Sequence, residues 1–342
     1  MINKSQVKKI LIIKLRGIGD VVLSTIVLDN LKYEFPSAQI DYISDKPSKA
    51  FLENLSFITN VYTYPRKLSK KLKLFWDIRK NRYDLVFDFF SNPSTAQITF
   101  LSGAKYKIGF PYKGRKFAYN LFGPSERNKY HNAELHLEVL KKIGLECNHQ
   151  NLHFELSEND NLFVFKFLTS INPINKLLVG ISPSGGWESK KCDSIKFAEI
   201  GLALIKKYKA QILILWGPED KIQAEEINHL IGNGSLLAPA TSIMQMASFI
   251  KHCDLFIAND SGPMHISTAV GTPVLSLHGP TNPNHQGPFG YKHEWINLPN
   301  LDCIMCNLLV CPRNHECFKE LPIDKVMNKV EKLIEKNNID VQ

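Results

Sequence analysis

Short apolar runs alternate with longer amphipathic stretches along the first half of the chain. Four runs read as buried strands, because each is brief and rich in β-branched or aromatic residues. They are "KKILIIK", "QIDYIS", "NVYTYP" and "YDLVFDFF", at 8–14, 39–44, 60–65 and 83–90. Helix-length segments separate them, the first over about 19–35, where Pro36 ends it. This alternation predicts a parallel, doubly wound α/β sheet.

The same pattern restarts after residues 158–176, which read as a helix followed by a polar connector containing proline. Amphipathic helices are predicted over 193–209 and 322–338. Four further strands each end in a polar or glycine-containing loop, where ligands of parallel sheets bind. These strands are "KLLVGISPS", "AQILILWG", "DLFIAND" and "TPVLSLHG". We therefore predict two Rossmann-like domains that face each other across a cleft.

The length of 342 residues agrees with two domains rather than one. We predict domains over 1–165 and 176–320, with a C-terminal helical segment, 321–342, packing back on the first. No apolar run reaches the length of a membrane-spanning helix. The first apolar run is interrupted by Lys14 and Arg16, so it is too short for a signal peptide. The expected location is the cytoplasm.

Charge is unevenly distributed over the chain. Residues 1–150 hold 25 Lys and Arg against 13 Asp and Glu, whereas residues 151–342 hold 17 against 20. A half with net charge +12 favours an anionic partner such as a phosphorylated glycan, lipid headgroups or nucleic acid. The alternative is a lysine-rich surface that reflects only the base composition of the genome.

One basic segment, residues 65–80, places Leu68, Leu72, Phe75 and Trp76 at helical spacing among lysines and arginines. It either lies on an anionic membrane surface or packs Phe75 and Trp76 into the core. A second basic stretch, "YKGRK" at 112–116, belongs to the same half.

Three loops of the second half carry the residue types of a diphosphate site. In "NDSGPMHISTAVGTP" (259–273), Ser261 and Gly262 open a helix whose free N–H groups and dipole favour an anion. His265 lies in the same turn and can donate to phosphate oxygens. The loops "SPSGGWESKK" (182–191) and "WGPED" (216–220) follow two other strands. A helix cap with a core histidine is the alternative for the first loop alone.

The stretch "KLRGIGDVVLS" (14–24) only partly matches a dinucleotide-binding turn, because Val22 stands where a third glycine belongs. Asp20 suits a different task, since a carboxylate within hydrogen-bond reach can take the proton of an attacking hydroxyl. Capping of the following helix through its side chain is a structural role that could coexist.

These motifs together resemble glycosyltransferase family 9, the bacterial heptosyltransferases of GT-B fold. The resemblance spans most of the chain and is most specific in "DLFIANDSGPMHISTAVGTPVLSLHGPT" combined with the N-terminal G-D. It implies an inverting, metal-independent transfer of a sugar, heptose from ADP-heptose, onto a lipopolysaccharide core or related glycan. The N-terminal domain would bind the acceptor and the C-terminal domain the nucleotide-sugar. An enzyme of this kind would work at the inner face of the inner membrane, with an anionic glycolipid as acceptor and no nucleic acid.

The resemblance also implies roles for single residues. Asp20 matches the catalytic base, Lys190 the lysine on the donor phosphates, and Glu219 the acid on the donor hydroxyls. Cys192 and Asp193 replace the family's usual Trp-Pro, which makes Lys191 a rival for the phosphate role. The remaining donor-site candidates are Ser184, Asp260, Ser261, Gly262 and His265, and the acceptor-side candidates are Lys14, Arg16 and Gly19.

Four of the seven cysteines cluster near the C-terminus as C-x2-C-x4-C-x5-C, and without an export signal disulfides are not expected. Cys303, Cys306, Cys311 and Cys317 could hold structural zinc or iron, although the spacing is tighter than in a zinc ribbon. Reduced thiols packed in a loop are the alternative, and catalysis needs no cofactor. Two other functional classes stay open: a nicotinamide-dependent oxidoreductase, and a basic nucleic-acid-binding protein with a cysteine knuckle.

Overall fold

A computed structural model describes residues 2–171 and 177–341 of the chain. The chain divides into two compact units, Met1–Glu155 and Leu156–Gln342. Each unit has its own parallel six-stranded sheet and its own buried apolar side chains.

The sheet of the first unit has the strand order β3-β2-β1-β4-β5-β6, and every neighbouring pair is parallel. Its strands are β1 (Lys9–Ile13), β2 (Gln39–Ser44), β3 (Asn60–Thr63), β4 (Leu85–Asp88), β5 (Tyr106–Gly109) and β6 (Leu121–Phe122). Its α-helices are α1 (Ile18–Ser24), α2 (Leu28–Glu34), α3 (Lys49–Asn54), α4 (Leu68–Asn81), α5 (Pro93–Leu101) and α6 (Asn132–Lys142).

The sheet of the second unit has the order β12-β11-β10-β7-β8-β9, again parallel throughout. Its strands are β7 (Leu178–Ser182), β8 (Gln211–Ile214), β9 (Ser235–Leu237), β10 (Leu255–Asn259), β11 (Val274–Leu277) and β12 (Glu294–Ile296). Its helices are α7 (Glu158–Ile171), α8 (Ser194–Tyr208), α9 (Lys221–Ile231), α10 (Ile243–His252), α11 (Gly262–Val270), α12 (Pro283–Gln286), α13 (Glu316–Lys319) and α14 (Ile323–Asn337).

The central strands of both sheets are buried on both faces, which explains their continuous apolar sequence. All residues of β7 and β10 are buried, as are all those of β4. Helices cover both faces of such a sheet, so its strands need apolar side chains in both directions. The strand order reverses between β1 and β4 in the first unit and between β7 and β10 in the second. In open α/β sheets this switch point is where ligands bind.

The predicted strands are confirmed, and so is the helix over 19–35, which forms as α1, a 3₁₀ turn at Thr25–Val27, and α2. The predicted connector after α7 includes residues 172–176, which lie outside the described residues. Helix α7 packs on α10, so the first unit ends at Glu155 rather than near 165. Helix α14 packs on α8, β11 and β12 within the second unit. An additional contact of this helix with the first unit stays a prediction.

The helices of residues 2–171 and 177–341 are all too short or too polar to cross a membrane.

Candidate active site

A buried asparagine at the end of β10 joins two loops at the switch point of the second unit. The side-chain NH₂ of Asn259 donates to the carbonyl of Pro183 at 2.8 Å, and its oxygen accepts from the N–H of Cys192 at 3.2 Å. The loop after β7 is thereby fixed at both ends to the strand that carries the Asp260 loop. This arrangement brings Lys190 next to Asp260, two residues before the start of α11.

Lys190 and Asp260, both predicted donor-site residues, form a buried ion pair with an N–O distance of 2.7 Å. The ammonium of Lys190 also lies 4.4 Å from the centre of the Trp187 ring and donates to the Gln286 side chain at 3.4 Å. Charge-assisted bonds and a cation–π contact stabilise a charged lysine in this partly dry position. These three contacts fix the position of the Lys190 ammonium.

Asp260 also accepts a hydrogen bond from a residue that the sequence did not indicate. The hydroxyl of Thr281 donates to its carboxylate at 2.6 Å, and His278 lies 3.3 Å from that hydroxyl. Burial opposes ionisation of Asp260, but the charges of His278 and Lys190 outweigh it and hold the pKa of this carboxyl below its usual value. Burial lowers the pKa of His278 itself to about 4, so its ring is neutral at pH 7 and Lys190 is then the important cation.

The start of α11 has the features of an anion site. Ser261 precedes the helix without capping it through its side chain, and Pro263 occupies the first turn. The Ser261 hydroxyl is buried and makes no hydrogen bond within the described residues. A buried polar atom of this kind calls for a partner, and the adjacent N–H groups and helix dipole favour an anionic one. Gly262 and the buried His265 lie in the same turn.

Lys191 contacts Asp220, which is the neighbour of the predicted donor-site residue Glu219. Its ammonium pairs with Asp220 at 2.7 Å, and the same carboxylate accepts from the Ser184 hydroxyl at 2.6 Å. A Cβ added at Gly185 would lie 2.6 Å from Cγ of Lys191, so glycine lets the lysine stem pack against the loop. Glu219, the predicted ligand of donor hydroxyls, is exposed. Asp220 is the residue that joins this third loop to the loop after β7.

In the first unit, the turn after β1 presents Asp20 to solvent. Arg16 and Gly17 have φ values of 63° and 39°, a left-handed turn that leads directly into α1. Asp20 pairs with Lys14 at 3.1 Å, and their side chains are 47% and 6% exposed. Among the described residues, no backbone N–H donates to the Asp20 carboxylate, so the expected helix cap is absent and the ion pair takes its place. Gly19 is buried beside it, and Arg16 lies over the Phe90 ring.

Comparison with known proteins agrees with these features. The family model "Glycosyltransferase family 9 (heptosyltransferase)" matches residues 71–315, over two thirds of the chain. The chain belongs to this family. It is therefore a glycosyltransferase, and the oxidoreductase alternative is set aside.

Relatives and solved structures extend this likeness over nearly the whole chain. Lipooligosaccharide heptosyltransferase 2 of Campylobacter jejuni is 27% identical over 337 residues, covering 94% of this chain and 97% of the relative. The crystal structure of a family 9 glycosyltransferase from Veillonella parvula superposes with a TM-score of 0.84 at 20% identity, covering 96% and 97% of the two chains. The structure of the E. coli ADP-heptose lps heptosyltransferase II superposes with a TM-score of 0.78 at 18% identity, covering 96% of this chain and 99% of that one. The predicted GT-B architecture with two Rossmann-like units is confirmed.

The cysteine cluster of the glycosyltransferase does not fit a metal ion as it is placed. Cys303, Cys306, Cys311 and Cys317 line one cavity of about 30 Å³. Yet in the described part of the chain no three His, Cys, Asp or Glu side chains form a group that could hold a metal. Burial raises the pKa of the Cys317 thiol to about 12, so this thiol is neutral at pH 7. All seven cysteines are free thiols.

In the basic segment at 65–80, one aromatic side chain packs on the core and the other is exposed to solvent. Phe75 packs against the core of the first unit together with Leu74 and Ile78. The expectation that Trp76 also enters the core is wrong, because its side chain is exposed. The reason lies in helix geometry: Leu74 and Ile78 define the inward face of α4, and Trp76 lies well round the helix from both.

Proposed function

We propose that the enzyme transfers heptose from ADP-heptose onto a lipopolysaccharide core or a related glycan, with inversion at the anomeric carbon. The names of the relatives support the sugar and the acceptor class. The E. coli ADP-heptose lps heptosyltransferase II, similar over nearly its full length, supports the donor.

The observation that carries the proposed donor site is the buried Ser261 hydroxyl, which has no hydrogen-bond partner in the described part of the chain, beside the Lys190–Asp260 pair. In this proposal the diphosphate accepts hydrogen bonds from Ser261, from the N–H groups at Gly262, and from His265. Lys190 has donors left after its bond to Asp260, and Lys191 after its bond to Asp220. Because the carboxylates balance both lysines, the start of α11 adds the further attraction for phosphate charge. Glu219 and Ser184 would contact the donor near its hydroxyl groups.

The chemical step in this proposal needs a base and a stabilised leaving group. Asp20 takes the proton as the acceptor hydroxyl oxygen attacks the anomeric carbon. The bond from that carbon to the diphosphate breaks on the opposite side, which inverts the centre. Lysines and helix N–H groups hold the departing ADP, so neither a metal ion nor another cofactor is required for this step.

The acceptor side of the proposal rests on the charge of the first unit. Met1–Glu155 contains 25 Lys and Arg against 14 Asp and Glu, which favours an anionic glycolipid over a neutral one. Lys14, Arg16 and Gly19 lie beside Asp20 and would line the acceptor side. We place the enzyme at the cytoplasmic face of the inner membrane, without a role for nucleic acid. Zinc or iron at the four cysteines stays a prediction that the positions of the thiols do not support.

A thermal-shift panel of ADP-, UDP-, GDP- and CMP-linked sugars tests the donor assignment. ADP-heptose and ADP should raise the unfolding temperature, since a ligand present at 100 times its Kd adds about 2.7 kcal/mol to the stability of the folded state. The double variant Lys190→Ala/Lys191→Ala should lose this shift.

Its control is Lys206→Ala/Lys207→Ala, an exposed adjacent pair on α8. The control should keep the shift. Unchanged ADP affinity in the Lys190/Lys191 variant would remove the phosphate assignment, and a preference for UDP, GDP or CMP would remove the adenine donor.

A further inference from the structure

Helix α4 has two apolar faces, and only one of them serves the fold. Leu74 and Ile78 are buried, and Phe75 packs with them against strands of the first sheet. On the outer face, Leu68, Leu72 and Trp76 follow one another at four-residue spacing and are 72%, 60% and 70% exposed. Residues at this spacing form one continuous stripe along a helix. Single exposed apolar residues are ordinary, but an aligned stripe of three large ones marks a contact surface.

The charges around this stripe identify its partner. Residues 66–82 contain eight basic side chains and one acidic one, Asp77. In residues 2–171 and 177–341, none of these eight makes an ion pair. The basic residues are Arg66, Lys67, Lys70, Lys71, Lys73, Arg79, Lys80 and Arg82. Apolar side chains flanked by unpaired cations are typical of a helix that lies in the interface of an anionic bilayer.

A groove next to the stripe extends the same chemistry. It has a volume of about 620 Å³, and Trp76, Arg79, Lys80, Arg82 and Lys105 are among the residues that line it. The groove also contains one carboxylate, Asp84, which already accepts hydrogen bonds from the backbone N–H groups of Lys8 and Lys9. With one indole ring and four cations, the groove suits lipid phosphate groups, with the ring at the level of the headgroups.

The position of α4 in the sheet gives the surface a purpose. The helix follows β3 and precedes β4, so it begins at the carboxyl edge of the parallel sheet. The turn that carries Asp20 follows β1 and lies at that same edge. A bilayer in contact with the Leu68 end of α4 would therefore present a lipid-linked acceptor on the side of the unit where Asp20 lies.

We propose that the outer face of α4 docks the enzyme on an anionic bilayer. Leu68, Leu72 and Trp76 enter the headgroup region, and the flanking lysines and arginines bind lipid phosphates. This inference deepens the membrane location given above and rests on it, because it names the surface and adds apolar insertion to charge attraction.

Vesicle sedimentation with the full chain tests this proposal. Wild type should bind vesicles of phosphatidylcholine mixed with phosphatidylglycerol, and less so at high salt. Leu68→Ser/Leu72→Ser/Trp76→Ser should lower the partition coefficient about tenfold or more, since insertion scales with apolar area. The matched control is Phe165→Ser/Leu202→Ser/Leu230→Ser, three exposed apolar residues on helices of the second unit. The control should bind as wild type does.

Two outcomes would overturn the docking surface. One is equal binding of wild type and the α4 triple variant, both with unchanged unfolding temperature. The other is no binding of wild type to anionic vesicles. Trp76 gives a second readout: the emission lost in Trp76→Phe should shift to the blue with anionic vesicles and be quenched by lipids brominated on their acyl chains. Emission of Trp76 that neither shifts nor is quenched would also contradict insertion.

Transfer to a deacylated, water-soluble acceptor separates this proposal from the proposed function. The α4 triple variant should transfer sugar to that acceptor as fast as wild type, because no membrane is involved. Absence of transfer by both proteins would count against the proposed function alone, and the vesicle results would still decide the docking surface.

Discussion

Lys14 is buried while its partner Asp20 is half exposed, and this difference gives each residue a distinct task. A buried ammonium needs an anionic partner, because an unpaired charge in this position would be costly. Lys14 therefore fixes one oxygen of the Asp20 carboxylate. The Asp20 side chain is nonetheless about half exposed, as the proposed base must be in order to reach an acceptor hydroxyl.

Asp20→Asn should lower the turnover of sugar transfer by about two to four orders of magnitude, the usual contribution of a positioned base. The amide oxygen can still accept a bond from Lys14, so folding and ADP affinity should survive. Asp20→Glu should restore little, because the longer side chain moves the carboxylate. Transfer rates and ADP affinities of both variants are the measurement.

Asp29→Asn is the control for this pair, since Asp29 lies on α2 and contacts His153 rather than Lys14. It should transfer sugar at the wild-type rate. If Asp20→Asn were equally active, Asp20 would be a structural partner of Lys14 and another group would be the base.

Single residues were predictable from sequence where a motif defines them, and not where only the fold brings partners together. The family resemblance named Lys190 and Asp260 as donor-site candidates one by one, but their ion pair joins loops 70 residues apart in sequence. Glu219 attracted attention in "WGPED", whereas its neighbour Asp220 holds Lys191 and Ser184. Two adjacent acids differ in sequence only by position, and the start of α9 decides which one turns inward.

At the scale of elements, three loops act as one unit because single side chains bridge them. Asn259 joins the strand end of β10 to the loop after β7, and Asp220 joins that loop to the start of α9. The N–H of Cys192, which donates to the Asn259 side chain, is buried. Water therefore cannot take the place of Asn259 as its hydrogen-bond partner. The geometry of the proposed donor site depends on these bridges.

Asn259→Ala should lower the free energy of unfolding by about 2–4 kcal/mol, because a buried N–H and a carbonyl lose their partner. The Kd for ADP should rise by about tenfold or more, because ADP must then order the loops when it binds, and each 1.4 kcal/mol of binding free energy spent on this raises the Kd about tenfold. Denaturant titration and calorimetric binding of ADP measure the two effects. Asn228→Ala, at the far end of α9, is the control and should leave ADP affinity intact. Lower stability with unchanged ADP affinity would show that the loops are ordered without Asn259.

The main strands and helices were predictable because their apolar patterns extend over four or more residues. Strands β6, β9 and β12 have only two or three residues each, too few to show a period. They form because a neighbouring strand already offers its edge. The apolar residues of the outer face of α4 could be identified in the sequence. Their exposure could not, because it depends on which face of the helix packs on the core.

At the scale of the whole molecule, one topology is used twice with different charge. Numbered within each unit, both sheets have the order 3-2-1-4-5-6. Met1–Glu155 carries 25 basic against 14 acidic residues, and Leu156–Gln342 carries 17 against 19. The alternation of strands and helices predicts the shared fold, and the charge count predicts that the two units meet different ligands.

Treatment with EDTA should leave the transfer rate unchanged, because in the proposed mechanism lysines and helix N–H groups stabilise the departing ADP. The rate before and after chelation, with metal content measured in parallel, is the test. A rate that EDTA abolishes and added Mg²⁺ restores would contradict metal-independent transfer. Zinc or iron that survives EDTA but is absent from Cys303→Ser/Cys306→Ser would place a structural ion at the cysteines.

The bridge from Ser184 through Asp220 to Lys191 has a consequence for anyone who wishes to change the donor. Replacement of Asp220 leaves both other residues without this partner, whereas replacement of Ser184 or Lys191 removes one of the two bonds to Asp220. A change at one position therefore alters the surroundings of the others. Libraries that vary the three positions together, with Asn259 kept, allow such linked changes to be found in one round. The same bridge makes the loops at 182–191 and 216–220 a pair that should be exchanged between related enzymes together.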